Sequence, residues 1–310
     1  MKKVTVIGSG VMGHGIAQRV AQVKVPVVLF DINEESLVKA KSLIESNLTM
    51  QVNEQLLGEQ EKEEALAFLN MSTDLEASVQ GSELVIEAIS EKLELKHGLY
   101  RSLESLVPKE TVIASNTSTF SMKELTEGAA HPERFVVTHF FNPAQFVPLV
   151  EVVKGAQTTE HVVNETMSFM KQIGKSPILL NKDIPGFVAN RLQAALVREA
   201  FYLLEEGVAD ARSIDLAVTD GPGFRWGFAG PLETADFGGL DIWKSVVENL
   251  APTLSENTKV PDFIQTAIDE GNLGTKTTEG IYSYSSDIIQ DRLVERDQYL
   301  MHLGKLKQST

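Results

Sequence analysis

The chain has 310 residues with ordinary hydrophobic (43%) and charged (23%) content, enough for two domains with substantial cores. A formal net charge of −15 argues against DNA or RNA as a partner, because binding a polyanion needs clustered Lys and Arg. With no cysteine, disulfides, thiolate metal sites and thiol nucleophiles are excluded, and no metal centre is expected.

The first strand is expected from Val4, an apolar β-branched run Val4-Thr5-Val6-Ile7 of the kind that forms a buried parallel strand. Starting so early, it leaves no room for a signal or transit peptide, and no apolar run reaches bilayer-spanning length, so a cytoplasmic protein without membrane contact is expected. The run breaks into Gly8-Ser9-Gly10-Val11-Met12-Gly13 and then a helical pattern from Ile16. Gly8 permits a tight turn, Gly10 lets backbone approach a pyrophosphate, Gly13 lets helix and strand pack closely, and the helix N-terminus faces the anion. The next strand, Val25 to Phe30, ends on Asp31, where a carboxylate accepts hydrogen bonds from an adenosine ribose. Asp31 would repel a 2′-phosphate, and no Arg or Lys stands at positions 32–34 to offset it, so NAD is expected over NADP.

Residues 34–69 read as two helices carrying an acidic tract, followed by a short strand and turn at Met71-Ser72-Thr73-Asp74 and a helix from Leu75 to Val79. Further buried strands are expected at Leu84 to Ile89, Val112 to Ser115, Val136 to His139, Leu149 to Val153 and Pro177 to Leu180. In a doubly wound sheet ligands lie outside the carboxyl ends of the strands, which puts Glu91 and Lys96 near the nicotinamide half and Ser118 in a loop at the same edge. Asp183-Ile184-Pro185-Gly186 then breaks the pattern, and the remainder is helical with glycine-proline joints at Gly221-Pro222-Gly223 and Gly230-Pro231. The expected fold is α/β, with a doubly wound domain over residues 1–185 and an all-helical domain over 186–310.

His139 ends a buried strand amid Phe140-Phe141-Asn142-Pro143, apolar surroundings in which an imidazole can act as a base, and Glu151 arrives on the next strand. A carboxylate on one ring nitrogen orients the imidazole while the other nitrogen takes a proton. From spacing alone, a satisfied core histidine fits equally well. Ser118 and Asn190, the latter in the first turns of the helix after Pro185 and Gly186, have capping or turn roles by default, and gain interest because a hydroxy or keto substrate needs donors for its oxygens.

The motifs Gly8 to Ala17, Val85-Ile86-Glu87-Ala88, Ala114-Ser115-Asn116-Thr117-Ser118, Thr138-His139-Phe140-Phe141-Asn142-Pro143, Leu149-Val150-Glu151-Val152, Asp183 to Arg191 and Gly230-Pro231 together resemble the 3-hydroxyacyl-CoA dehydrogenase family, over residues 1 to about 284. The resemblance implies an N-terminal Rossmann domain with His139 as acid/base, Glu151 as its orienting group, and Ser118 and Asn190 as substrate holders. It places NAD contacts on Gly8, Gly10, Val11, Met12, Gly13, Asp31, Glu91, Lys96, Ser118, Asn142 and Lys276, the last from Gly274-Thr275-Lys276-Thr277-Thr278-Glu279-Gly280. It also implies a homodimer paired through the helical domain.

Two departures bear on the substrate. The acyl-CoA members carry a Ser and, seven residues on, a Lys that hold the CoA nucleotide, and those places fall here on Asn47 and Glu54. Gly221-Pro222-Gly223-Phe224-Arg225-Trp226 is more similar to the gulonate and carnitine dehydrogenases, in which case Arg225 pairs with a substrate carboxylate; a surface arginine stacked on Trp226 fits equally well. The resemblance as a whole implies a short L-3-hydroxyacyl-CoA as substrate, with a free 3-hydroxy acid as the alternative and a non-catalytic NAD-binding protein as a third reading. Ile289, Leu293 and Leu300 of the tail from Asp287 to Thr310 lie near one helical face, and the tail is expected to extend the dimer interface.

Overall fold

A computed structural model describes residues 1–308, and the chain divides into two compact units. Unit 1 holds Met1–Val188 together with the tail from Leu293, and unit 2 holds Ala189–Arg292.

Unit 1 is built on β1 (Val4–Ile7), β2 (Val27–Phe30), β3 (Leu69–Ser72), β4 (Leu84–Glu87), β5 (Val112–Ser115), β6 (Phe135–Phe140), β7 (Leu149–Val153) and β8 (Ser176–Leu180). They form one sheet in the order β3-β2-β1-β4-β5-β6-β7-β8. The first six are parallel, β7 runs antiparallel to β6, and β8 runs parallel to β7. The order reverses between β1 and β4, which opens the crevice that doubly wound sheets use for ligands.

Both faces are covered, which is why the strands are apolar without alternation. Val4, Val6, Leu84, Ile86 and Ala114 pack under α1 (Gly13–Gln22) and α2 (Glu34–Asn53), with α3 (Glu59–Ala67) adding Ala65. Ile7, Val85, Ile113 and Val137 face the other way, against Val79 of α4 (Leu75–Val79), Tyr100 and Leu103 of α5 (Leu93–Leu106) and Met122 of α6 (Met122–Leu125). α7 (Glu160–Gln172) places Phe169 and Met170 in the first cluster.

Unit 2 consists of α8 (Ala189–Glu205), α9 (Ala211–Thr219), α10 (Pro222–Trp226), α11 (Pro231–Gly238), α12 (Leu240–Leu250), α13 (Asp262–Asp269) and the start of α14 (Ser286–Gln308). Phe201 and Phe263 meet edge to face at 5.8 Å, and the Tyr282 hydroxyl donates to Asp215 at 2.6 Å. Little else is closed off: α8 and α12 bury no residue.

The tail packs with the sheet unit and not with the helices of unit 2. Residues 293–308 lie in unit 1, which corrects the expected helical domain of 186–310; positions 309 and 310 lie outside the described residues. The packed face is set by buried Met301 and half-buried Val294, Gln298 and Leu300, whereas Leu293 is exposed. Glu54, at the end of α2, accepts from Gln298 Nε2 at 2.7 Å and bonds His302 Nε2 at 2.8 Å. Among the described residues no helix is long and apolar enough to cross a membrane.

Candidate active site

The turn after β1 is shaped by what a side chain would strike. Gly8 has φ +99°, and a Cβ there would lie 2.6 Å from the Ala88 carbonyl oxygen; a Cβ on Gly13 would lie 1.7 Å from the Gly8 oxygen. Gly10 has nothing within 4 Å of a Cβ position, so its face of the turn is open, directly before the N-terminus of α1. Exposed Val11 and half-buried Met12 complete the turn. Asp31 closes the second side: Oδ2 accepts the Ser9 N–H at 2.9 Å and the Ser9 hydroxyl at 2.8 Å, and Oδ1 accepts the Asn33 N–H at 3.0 Å. An open glycine face at a helix N-terminus and an anchored carboxylate one strand away fit the pyrophosphate and ribose of NAD.

A buried polar network follows β4. Glu87, fully buried, accepts from Lys96 Nζ at 2.6 Å, the Tyr100 hydroxyl at 2.7 Å, the Ser115 hydroxyl at 2.6 Å and the Ile89 N–H at 2.9 Å. Burial, reinforced by Glu87, pushes the Tyr100 phenol well above its ordinary range, so it remains a donor. Lys96 also pairs with Glu91 at 3.0 Å. Expected as a direct cofactor contact, Lys96 is only 1% exposed and is held between the carboxylates of Glu87 and Glu91. Glu91 further accepts from the hydroxyls of Thr117 and Thr119 and from the Ser118 N–H at 3.1 Å. Burial raises its carboxyl, but the Thr117 hydrogen bond and the Lys96 charge outweigh that and hold it below the usual carboxylate range. Glu91 thus ties the loop after β4 to the Ser118 loop after β5.

The antiparallel register of β6 and β7 sets His139 opposite Glu151. His139 Nδ1 lies 2.8 Å from Glu151 Oε2, which leaves Nε2 as the nitrogen for proton exchange. Glu151 is fully buried, and its Oε1 accepts the Val188 N–H at 2.9 Å. That bond depends on consecutive left-handed residues, Gly186 at φ +76° and Phe187 at φ +49°. Phe187 is 1% exposed, its ring 5.5 Å from the imidazole, and Phe141 lies 4.5 Å away on centroid distance. Asn116 Oδ1 accepts the Phe140 N–H at 2.9 Å, joining the ends of β5 and β6, and Asn142 is exposed just beyond.

Sequence reasoning treated Gly186-Phe187-Val188 as the start of the helical domain and missed its hold on Glu151. The glycine beside Pro185 was the available signal for a reversal. Asp183 of the same segment accepts the Met122 N–H at 2.6 Å, at the N-terminus of α6.

Three expected site residues belong to unit 2. Asn190 is the second residue of α8 and is half-buried. Arg225 lies in the last turn of α10, exposed, and its guanidinium has no ion pair among the described residues. Lys276 stands on the wall of a 580 Å³ cavity beside Tyr282 and Tyr284.

Residues 3–184 match the model of the 3-hydroxyacyl-CoA dehydrogenase NAD binding domain, and residues 186–284 match that family's C-terminal domain. The chain belongs to the 3-hydroxyacyl-CoA dehydrogenase family. It is an NAD-dependent dehydrogenase with an N-terminal Rossmann domain and a helical C-terminal domain, as the motifs implied. Its relatives differ in what their names say they act on. This dehydrogenase is 36% identical to human mitochondrial hydroxyacyl-coenzyme A dehydrogenase, over 92% of this chain and 91% of that one. It is 33% identical to the L-carnitine dehydrogenase of Oceanobacillus iheyensis, over 98% and 97%. It is 31% identical to 5-formyl-3-hydroxy-2-methylpyridine 4-carboxylate 5-dehydrogenase of Mesorhizobium japonicum, over 99% and 98%. A solved structure of an enzyme of that last name superposes with a TM-score of 0.92 at 30% identity, covering 99% of this chain and 98% of its own.

Proposed function

We propose that this dehydrogenase oxidises the secondary hydroxyl of a small free hydroxy acid to the ketone. His139 takes the hydroxyl proton on Nε2, Glu151 orients the ring and balances the imidazolium that forms, Ser118 and Asn190 hold the substrate oxygens, and Arg225 pairs with its carboxylate. Bound NAD supplies the hydride acceptor. It is held by Gly8, Gly10, Val11, Met12, Gly13, Asp31, Glu91, Ser118, Asn142 and Lys276, with Lys96 behind Glu91.

The observation that carries the choice of a free acid is the pairing of Glu54 with the tail. By the resemblance, the CoA nucleotide is held in acyl-CoA members by a Ser and a Lys at the places of Asn47 and Glu54. Here Asn47 is buried with its Nδ2 donating to Gln18 at 3.1 Å, and Glu54 is an anion engaged by Gln298 and His302. A carboxylate there repels a phosphate, and the tail side chains take its hydrogen-bonding capacity. The two relatives named for free acids also span this tail in coverage. The acyl-CoA reading keeps in its favour the run from His139 to Pro143 and the 36% identity to the human hydroxyacyl-coenzyme A dehydrogenase. NADH formation with 3-hydroxybutyryl-CoA set against a panel of free hydroxy acids, pyridine carboxylates included, decides between them.

We also infer that unit 2 pairs with a second copy of this chain. Leu232 is 85% exposed, Phe228 83%, Phe224 80% and Phe237 70%, a concentration of bare large apolar side chains that calls for a partner surface. A cytoplasmic location is consistent with the absence of cysteine.

A further inference from the structure

A cavity of 570 Å³ opens on unit 1 between the end of α2, the loop after β6, the start of β8 and the tail half of α14. Its wall carries four cations, Arg19, Lys175, Lys305 and Lys307, and no Asp or Glu among the described residues. That is unexpected in a chain where 43 acidic residues stand against 28 Lys and Arg. The two inner cations rest on neutral acceptors. Lys175, 6% exposed, donates its ammonium to the carbonyls of Ala144 and of Val147, the latter at 2.7 Å, and Arg19 Nε donates to the Ile173 carbonyl at 2.7 Å. Burial, with the charge of Arg19 second, pushes the Lys175 ammonium down to about 7. A buried ammonium beside a half-buried guanidinium, both held only by neutral oxygens, leaves an electrostatic imbalance that an anion in the cavity would relieve.

We propose that this cavity is a binding site for a small phosphate-bearing anion, with Arg19 and Lys175 at its base and Lys305 and Lys307 of the tail at its rim. A guanidinium beside ammonium groups suits a multiply charged phosphate better than a single carboxylate, and the volume admits a ligand of nucleotide size. The site is distinct from the glycine turn, since Arg19 lies six residues beyond Gly13, about 9 Å along α1. Because the tail supplies part of the wall, a bound anion fastens α14 to unit 1.

The phosphate group has two possible sources, a free phosphorylated metabolite or the nucleotide end of a CoA ester, and the test separates them. Full-length protein saturated with NADH, so that the glycine turn is filled, is titrated at constant ionic strength with pyrophosphate, adenosine 3′,5′-bisphosphate and citrate, and binding is read by calorimetry and by protection of the tail from limited proteolysis. Saturable pyrophosphate binding, one per chain, is expected, weakened at least about tenfold by Lys175→Met or Arg19→Gln, the loss of one charge-assisted contact. The double variant Lys305→Ala with Lys307→Ala weakens it too, and serves where a buried replacement prevents folding. No saturable binding, or binding unchanged in the tail variant, overturns the proposal, and equally tight citrate overturns the phosphate assignment. Much tighter binding of the adenosine bisphosphate, lost in the same variants, supports the site while removing the free-acid reading of the substrate.

Discussion

Glu151 faces His139 across the β6–β7 pair, and its two oxygens serve two different elements: Oε2 meets the imidazole at 2.8 Å and Oε1 takes the Val188 N–H at 2.9 Å. The carboxylate therefore fixes both the ring and the turn that packs Phe187 against it. His139→Ala should lower turnover by roughly 10²–10⁴, the usual scale for a general acid/base, with NADH binding by fluorescence largely kept. Glu151→Gln should slow turnover and also lower the melting temperature, because an amide cannot accept on both sides. Near wild-type turnover in His139→Ala would remove the acid/base assignment.

Asp31 does more than face a ribose. It also holds Ser9 by two hydrogen bonds, so Asp31→Ala should loosen the glycine turn as well as narrow the preference for NAD over NADP. Asp31→Asn keeps an acceptor for Ser9 and removes the charge, and should raise relative NADP affinity with a smaller loss of stability. Equal affinity of the unaltered protein for the two cofactors, measured by titration, would contradict this.

The parts of the site that sequence made legible are those set by local chemistry. Gly8 and Gly13 were readable because only glycine tolerates the contacts found there, Gly10 because it leaves the face of the turn between them open, and Asp31 because it follows the next strand. His139 and Glu151 were readable as candidates, but their pairing depends on β7 running antiparallel, and an apolar strand looks the same in either direction. The tail shows the limit most clearly. Periodicity identified a face with Ile289, Leu293 and Leu300, of which Ile289 and Leu300 are half-buried and Leu293 is exposed, and it missed Val294, Gln298 and Met301 and the polar bonds to Glu54 that no periodicity carries. Lys175 carried no signal in the sequence and is buried, its ammonium donating to carbonyls of the loop after β6.

Lys175 gives a pH dependence with a definite sign. Its ammonium is pushed down to about 7 in the folded chain from an ordinary 10.5, with Arg19, Lys305 and Lys307 the charged groups around the same cavity. Between those values the unfolded chain binds more protons, so this lysine makes stability rise with pH from about 7 to 10.5, by on the order of 5 kcal/mol at most, and contributes no slope below that window. Urea midpoints at pH 7 to 10 should rise for the unaltered protein relative to Lys175→Met. Parallel curves would mean that the lysine keeps its proton when folded.

Assembly should rest on unit 2 and not on the tail. Sedimentation should give two chains per particle, and a chain ending at residue 292 should remain paired while melting at a lower temperature, because residues 293–308 pack within unit 1. Replacing Phe228 and Leu232, which are 83% and 85% exposed, by Ser and Gln should instead yield monomers. Dissociation of the truncated chain with those two residues intact would return the tail to the interface.

Substrate class turns on Arg225 and Glu54, in opposite ways for the two readings. For a free acid, Arg225→Met removes the charge-assisted hydrogen bonds to the substrate carboxylate and should cost about 1.5–3 kcal/mol in kcat/KM. For an acyl-CoA the same change should matter little. Glu54→Lys discriminates from the other side: it replaces the acceptor of Gln298 and His302 with a cation, so the tail should become protease-sensitive. If the substrate carries no CoA, that change adds no turnover of CoA thioesters, since Asn47 remains buried against Gln18. A gain in 3-hydroxybutyryl-CoA turnover that weakens with salt would instead show a phosphate beside position 54, because exposed charge pairs are screened within about 10 Å at 0.1 M salt. That result, together with an indifferent Arg225→Met, would assign the enzyme to acyl-CoA chemistry and make the tail a movable cover over the nucleotide.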